Sequence, residues 1–470
     1  MSKRRTTLWT FVITSVALFM VTLDNLVVST AIPVIRVDLH ASLPQLEWTV
    51  NAYTMAFAVL LLTGAALGDR FGRRRIFALG VTLFTVSSAA AALSTGATEL
   101  IVARAFQGAG GALVMPLTLT LLSAAVPAEK RGMALGVWGG IGGLAVAAGP
   151  LVGGAVLRGL SWHWIFGINV PVGLALVVAA RARLVESRGP SERLDLPGVA
   201  LASGGLLGVV WGLVRGNSVG WTSLEVGGSI VAGIVILAAF LAWERGTRAP
   251  MLPLRFFRSR AFSAAQASSL AMSFGMFGSI FLLTQFFQTI QGYSPLAAAV
   301  RILPWTMMPL VVAPIAGSLS DRIGGRPLMA IGLALQSSGL AWIAAVSSPT
   351  TPYRDLVVPF ILSGVGMGMF FSPVANVVLG SVWPQEEGQA SGANSAVREV
   401  GGVFGVAALA AIFAHVGGYQ SGASFVDGMN SAVYVGSAAV AVGALAALFI
   451  PRRRPTRPEL QALAPQPEAA

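Results

Sequence analysis

The sequence predicts an all-α integral membrane protein with fourteen transmembrane helices, and three observations carry that reading. The chain of 470 residues is 55% hydrophobic and only 11% charged, with a mean hydropathy of +0.75. Soluble domains carry about 25% charged residues. Apolar runs near twenty residues recur along the chain, each long enough to cross a hydrocarbon core of ~30 Å as a helix. The basic residues alternate in step with those runs. With the N-terminus placed inside, 24 of the 31 Lys and Arg residues fall on the inner side and 5 on the outer. That bias is the positive-inside pattern, and it predicts that both termini are cytoplasmic.

The runs lie near 9–35, 48–68, 76–95, 98–124, 133–157, 163–181, 196–214, 226–243, 262–288, 296–319, 327–346, 355–381, 395–416 and 430–450. Span 1 is far longer than the 7–15-residue core of a signal peptide, so it reads as an uncleaved helix. It carries Asp24 and Asn25 in an otherwise uncharged stretch. A carboxylate inside a bilayer helix costs about 2.5–3.5 kcal/mol and by default marks a proton, ion or substrate path. At ~1.5 Å per residue Asp24 lies roughly 20 Å from the inner end, at or beyond mid-membrane. Span 2 opens on Trp48, Asn51 and Tyr53 and runs into Asp69, Arg70, Gly72, Arg73 and Arg74. Span 4 holds Arg104 and Gln107, and span 5 holds a run of glycines with Pro150. Span 6 starts on Trp162-His163-Trp164, which reads as an interface belt. Spans 7 and 8 are an inserted pair between the Arg/Pro-rich stretches 181–195 and 244–260. Span 9 ends on Gln285, Phe286 and Gln288; Pro304 and Trp305 lie in span 10; Asn376 lies in span 12 and Glu399 in span 13. The tail after 450 is rich in Pro, Ala and Gln and is expected to be a disordered cytoplasmic segment.

The net charge of +12 invites a nucleic-acid partner. It sits instead in short inner loops beside anionic headgroups, where such a bias belongs, so no nucleic acid is expected. The absence of cysteine excludes disulfide and thiol chemistry. No His/Cys cluster with metal spacing, no nucleophile elbow and no phosphate loop is present, which argues against an enzyme and against an ATP-driven pump. Neither cofactor nor metal is expected.

The chain repeats itself. Leu67-Gly68-Asp69-Arg70-Phe71-Gly72-Arg73-Arg74 aligns with Leu319-Ser320-Asp321-Arg322-Ile323-Gly324-Gly325-Arg326, and Pro116 with Pro127-Ala128-Glu129 echoes Pro373 with Pro384-Gln385-Glu386. Matching motifs on one membrane side indicate parallel repeats about an axis along the membrane normal. The expected organisation is a six-helix half over 1–181, the inserted pair with its linkers over 182–260, a second six-helix half over 261–450, and the tail over 451–470.

These segments resemble the fourteen-spanner drug:proton antiporter family of the major facilitator superfamily, over essentially residues 8–450. The loop with Asp69 is similar to the superfamily's motif A, although its usual leading glycine aligns with Ala65 and a glycine stands one position earlier, at Gly64. The resemblance implies a charge latch of Asp69, Arg70, Gly72, Arg73 and Arg74, with Asp321 and Arg322 as its second copy. Ala103-Arg104-Ala105-Phe106-Gln107-Gly108 is similar to motif B, which implies that Arg104 assists proton transfer. Gly149-Pro150-Leu151-Val152-Gly153-Gly154 resembles the antiporter signature. It implies a bent gating helix at Gly149, Pro150, Gly153 and Gly154, and export rather than uptake. Asn394 through Gly405, with Arg398 and Glu399, resembles the family's span-13 pattern.

The resemblance implies a major facilitator fold and a proton-driven exporter of small hydrophobic or cationic compounds in a bacterial cytoplasmic membrane. It needs no cofactor beyond the proton gradient and acts as a monomer. Asp24, Arg104 and Glu399 are the expected proton-coupling residues, with Glu399 placed near the cytoplasmic end. Asn25, Trp48, Asn51, Tyr53, Gln107, Gln285, Phe286, Gln288, Trp305 and Asn376 are the expected lining of a substrate cavity, since apolar walls with a few polar groups suit greasy ligands. An exporter of one dedicated metabolite and a proton-coupled importer are the alternatives.

Overall fold

The computed structural model describes residues 3–127, 130–189, 195–247 and 250–451. Four sequence expectations lie outside the described residues: Ala128 and Glu129 of the repeated motif, Arg193 in the first linker, Arg248 in the second, and the tail from Arg452 onward. The described chain is helical throughout. The first helices are α1 (Lys3–Asp38), α2 (Leu43–Phe71), α3 (Arg73–Ala92), α4 (Ala97–Ala125) and α5 (Arg131–Gly159). A short turn, α6 (Trp164–Gly167), leads into α7 (Asn169–Arg183). The hairpin α8 (Leu196–Val219) and α9 (Leu224–Gly246) comes next. Then follow α10 (Arg260–Gln285), extended by a π-helical turn over Phe286–Ile290, α11 (Pro295–Thr306) and α12 (Met308–Ile323). The chain closes with α13 (Gly325–Val346), α14 (Tyr353–Gly380), α15 (Glu387–Val416) and α16 (Gly422–Ala447).

Thirteen segments among the described residues are long and apolar enough to cross a membrane, and α5 supplies a further one as a bent pair. Its parts, Arg131–Val146 and Leu151–Gly159, meet at 43°. Proline removes a helical donor and crowds the preceding turn, and Pro150 stands in the break. Its backbone is helical; its side chain lies outside the described residues. The tenth expected span is likewise interrupted between α11 and α12, in a stretch holding Pro304, Pro309 and Pro314.

Local signals set the helix ends. The side chains of Asp195, Ser223, Ser259, Ser294 and Ser421 accept backbone N–H groups at the starts of α8, α9, α10, α11 and α16. Such caps satisfy donors that a helix leaves open. Gly72 (φ 108°) and Gly324 (φ 83°) turn the chain between α2 and α3 and between α12 and α13. Only glycine adopts such angles without strain, so the paired glycines of the two sequence repeats perform the same turn.

Packing repeats as the sequence does. α2 packs on α4, α3 on α4 and α7, and α1 on α5; in the later part α12 packs on α14, α13 on α14 and α16, and α10 on α15. The two sets meet through α5 with α11 and α12, and through α2 and α4 with α15. The α8–α9 hairpin leans on α2 and α15 through α8. Lipid offers no hydrophobic drive between helices, so small residues that admit close approach carry the association. Along α5, Gly132, Gly136 and Gly140 lie against the backbone of α12, while Gly149 and Gly153 face Leu26, Val27 and Thr30 of α1. A Cβ at Gly136 would collide with the carbonyl of Ala313, whereas one at Gly139 meets nothing nearer than Phe371 Cβ at 3.6 Å.

Gly136→Leu is therefore expected to force α5 from α12 and to destabilise the protein by about 1–3 kcal/mol. Gly139→Ala should leave the melting temperature unchanged. Thermal unfolding of the purified variants in detergent checks both.

Candidate functional site

Asp24 and Arg104 form an ion pair with no solvent exposure on either side chain. Arg104 Nη1 donates to Asp24 Oδ2 at 2.5 Å, while Oδ1 accepts from Gln107 Nε2 at 2.8 Å and from Asn169 Nδ2 at 2.7 Å. Five helices supply the cluster: α1, α4 and α7 through these residues, α3 through Ser88 Oγ, to which Gln107 Nε2 also donates at 2.7 Å, and α2 through Thr49. Arg104 further donates from Nε to the Thr49 carbonyl at 3.1 Å and from Nη1 to Gln107 Oε1 at 2.7 Å; its Nη2 has no partner. The guanidinium carbon stands 4.2 Å from the centre of the Tyr53 ring. Burying two charges costs several kcal/mol per ion unless the remaining hydrogen-bonding capacity is met, and here three donors meet the carboxylate.

A cavity of about 130 Å³ lies at the centre of the bundle. Tyr53, Phe57, Trp138, Phe277 and Phe371 give it aromatic walls, and Thr22, Asn25, Asn394, Arg398 and Glu399 give it polar groups. Asp24 and Arg104 do not line it. Tyr53 does, so the phenol ring stands between the cavity and the buried pair, with its hydroxyl donating to the Val21 carbonyl at 3.2 Å. On the far wall, Arg398 lies 4.8 Å above the Phe371 ring. Glu399 beside it makes no hydrogen bond to any described residue.

The structure redistributes several expected site residues. Glu399 is not near a helix end. α15 begins at Glu387, not 395, which puts Glu399 about 18 Å along the helix. Of the ten expected lining residues, Asn25 and Tyr53 line the cavity. Gln107 is drawn into the Asp24 cluster instead. Trp48 packs against Trp211 of α8 with ring centres 5.2 Å apart, and Asn51, half-buried on the same helix, is not in the lining either. Gln285 accepts from the Tyr419 hydroxyl, Phe286 is buried in the core, and Gln288 is exposed on the π-helical turn. Trp305 is buried against Phe360 at 6.2 Å. Asn376 donates to Asp321 Oδ1 at 3.1 Å. These side chains do not line the cavity, because a polar residue in an apolar helix can be satisfied by a neighbouring helix as well as by a cavity. Trp162 also departs from the interface-belt reading: it is buried, and its Nε1 donates to Asp38 Oδ2 at 2.7 Å. Asn169, which holds Asp24, was missed; an amide inside an apolar span was the available signal.

The motif A residues lie where the two packing sets meet. Asp69 accepts from Arg73 Nε at 2.8 Å, with both side chains 3% exposed, and Arg73 Nη2 reaches the Gln385 carbonyl at 2.9 Å. The Asp69 carboxylate lies against Gly388 in the first turn of α15, so close that a Cβ there would collide with it. Asp321 stands the same way against Gly132 in the first turn of α5. Anionic side chains are stabilised at the positive end of a helix dipole. Arg131–Glu387 adds an ion pair of 3.2 Å across the same seam. Arg74 and Arg75 share Glu186, each at 3.7 Å, while Arg70 lies over Phe71 and Arg322 is exposed.

Comparison with known proteins gives a consistent result. The family model described as Major Facilitator Superfamily matches residues 14–405 and again 305–469. The chain is 36% identical over 408 residues to the tetracenomycin C resistance and export protein of Streptomyces glaucescens, covering 86% of this chain and 76% of that one. It is 33% identical over 412 residues to the multidrug resistance protein Stp of Mycobacterium tuberculosis, covering 87% and 76%. Among solved structures, a major facilitator proton:xylose symporter superposes with a TM-score of 0.70 over 97% of this chain and 98% of that one, at 16% identity. At that identity the likeness is one of fold.

Removing one partner of a buried ion pair strands the other charge and costs about 3–5 kcal/mol. Arg104→Gln is expected to lose that much stability, and Asp24→Asn combined with Arg104→Gln to recover most of it. A double-mutant cycle in denaturant unfolding checks the coupling.

Proposed function

Because the chain belongs to the Major Facilitator Superfamily, we propose that it is a proton-coupled antiporter that exports antibiotic-like amphipathic compounds. It is a multi-pass membrane transporter of all-helical major facilitator fold, not an enzyme. The observation that carries the proposal is the position of the Asp24–Arg104 pair. It is sealed from water inside one half, one aromatic ring away from the central cavity.

In this reading the arginine-rich end is cytoplasmic. The halves are residues 1–181 and 261–450, with 182–260 as an inserted pair. A proton arriving from outside neutralises Asp24 and removes the counter-ion of Arg104. The guanidinium must then find new acceptors, and Tyr53, stacked on it, carries that change to the cavity wall. Glu399 on the opposite wall presents a carboxylate without hydrogen-bond partners, suited to a second proton or to a cationic group of the substrate. Pockets for drug-sized ligands measure about 300–1,000 Å³, so the cavity of about 130 Å³ must widen, and the seam at Asp69 and Asp321 must open to release or admit substrate on the cytoplasmic side. One proton moving down 100 mV supplies about 2.3 kcal/mol, roughly a 50-fold concentration ratio. The two relatives differ in the breadth their names imply, one compound against many, and both readings use the same coupling.

Proton release from inverted membrane vesicles, followed with a pH-gradient dye, tests the proposal against lipophilic cations and aromatic polyketides. A compound that collapses the gradient in wild type is expected to have no effect in Asp24→Asn. An equal response in that variant would remove Asp24 from the coupling path and leave Glu399→Gln as the next comparison.

A further inference from the structure

The last turn of α9 and the following 3₁₀ turn, Leu254–Arg258, enclose an open groove of about 840 Å³. It lies at the arginine-rich end, beside the seam, because Arg255 bonds to Glu386 and the Pro250 carbonyl accepts from Gln389 Nε2 at the start of α15. Three guanidinium groups, those of Arg245, Arg255 and Arg258, border the groove. Arg255 is engaged by Glu386. Arg245 and Arg258 are exposed and form no ion pair with any described residue. The one acid in the lining, Glu244, is turned inward. Its two oxygens accept from the backbone N–H groups of Met251 and Leu252, each at 3.2 Å, and it is 4% exposed. Among the described residues that line it, the exposed charges are cationic. Two large apolar side chains in its lining, Leu241 and Phe257, are exposed.

We propose that this groove binds the headgroup of an anionic phospholipid. The phosphate sits between Arg245 and Arg258, and the acyl chains run along Leu241 and Phe257 into the bilayer. Guanidinium groups pair with phosphate oxygens in a planar fork, and basic pockets at this depth are complementary to anionic headgroups. The exposed apolar side chains select a lipid over a free phosphate, since an inorganic ion would leave Leu241 and Phe257 facing water. The occupant lies one residue pair from the seam, through Arg255 and Glu386. Nothing in this site depends on the direction or coupling of transport.

Native mass spectrometry of the full chain in detergent, with added phosphatidylglycerol or phosphatidylcholine, tests it. Wild type should retain phosphatidylglycerol preferentially. The double variant Arg245→Gln, Arg258→Gln should reduce that preference by about 30-fold, roughly fivefold for each arginine. Arg4→Gln with Arg5→Gln removes equal charge elsewhere and should keep the preference. Excess inorganic phosphate should leave the lipid adducts intact. An unchanged preference in the Arg245/Arg258 variant, an equal loss in the Arg4/Arg5 control, or displacement by inorganic phosphate each overturns the proposal.

Discussion

The buried pair of Asp24 and Arg104 sets the terms for the helices around it. Two charges removed from water must be met by donors and acceptors at fixed positions, so the four helices that supply Thr49, Ser88, Gln107 and Asn169 cannot slide independently. The pair ties these helices together through one buried polar cluster.

At the surface where the two packing sets meet the chemistry is different. α5 and α12 touch through glycines and backbone, and such contacts make few directional bonds. The directional contacts that cross this surface gather toward one end: Arg73 reaches the Gln385 carbonyl, Arg131 pairs with Glu387, and the hydroxyls of Ser372 and Ser391 donate to the carbonyls of Gly132 and Pro116. A seam built this way is smooth along its length and pinned at its end. The backbone contacts of α5 with α12, at Gly132, Gly136 and Gly140, all precede the bend, while Gly149 and Gly153 meet α1 around and after it.

Much of the fold was legible in the sequence. Span number followed from run length and charge alternation, and the turns at Gly72 and Gly324 followed from the repeated motif. Asp24 and Arg104 stood out because charge in an apolar helix is costly wherever it points. The cavity lining was less legible. Hydropathy gives depth in the membrane but not rotation about the helix axis. Trp305, Asn376 and Gln107 are therefore indistinguishable in sequence from Asn25, although only Asn25 of these faces the cavity. Glu399 was placed near an end because its helix starts with a polar first turn, Glu387 to Gln389, that reads as loop.

The reciprocal placement of Asp69 and Asp321 has a meaning beyond closure. Each aspartate lies against the first turn of a helix in the opposite packing set, α15 for one and α5 for the other. A patch that meets its own counterpart about a two-fold axis is an isologous interface, the kind that joins two identical subunits into a closed dimer. The seam thus has the geometry of a homodimer contact made within one polypeptide. A single-chain protein of this design keeps a dimer's symmetric contact while leaving each side free to diverge, as the neighbours of the two aspartates show: Arg73 follows Asp69 by four residues, and Gly325 stands at the matching place after Asp321.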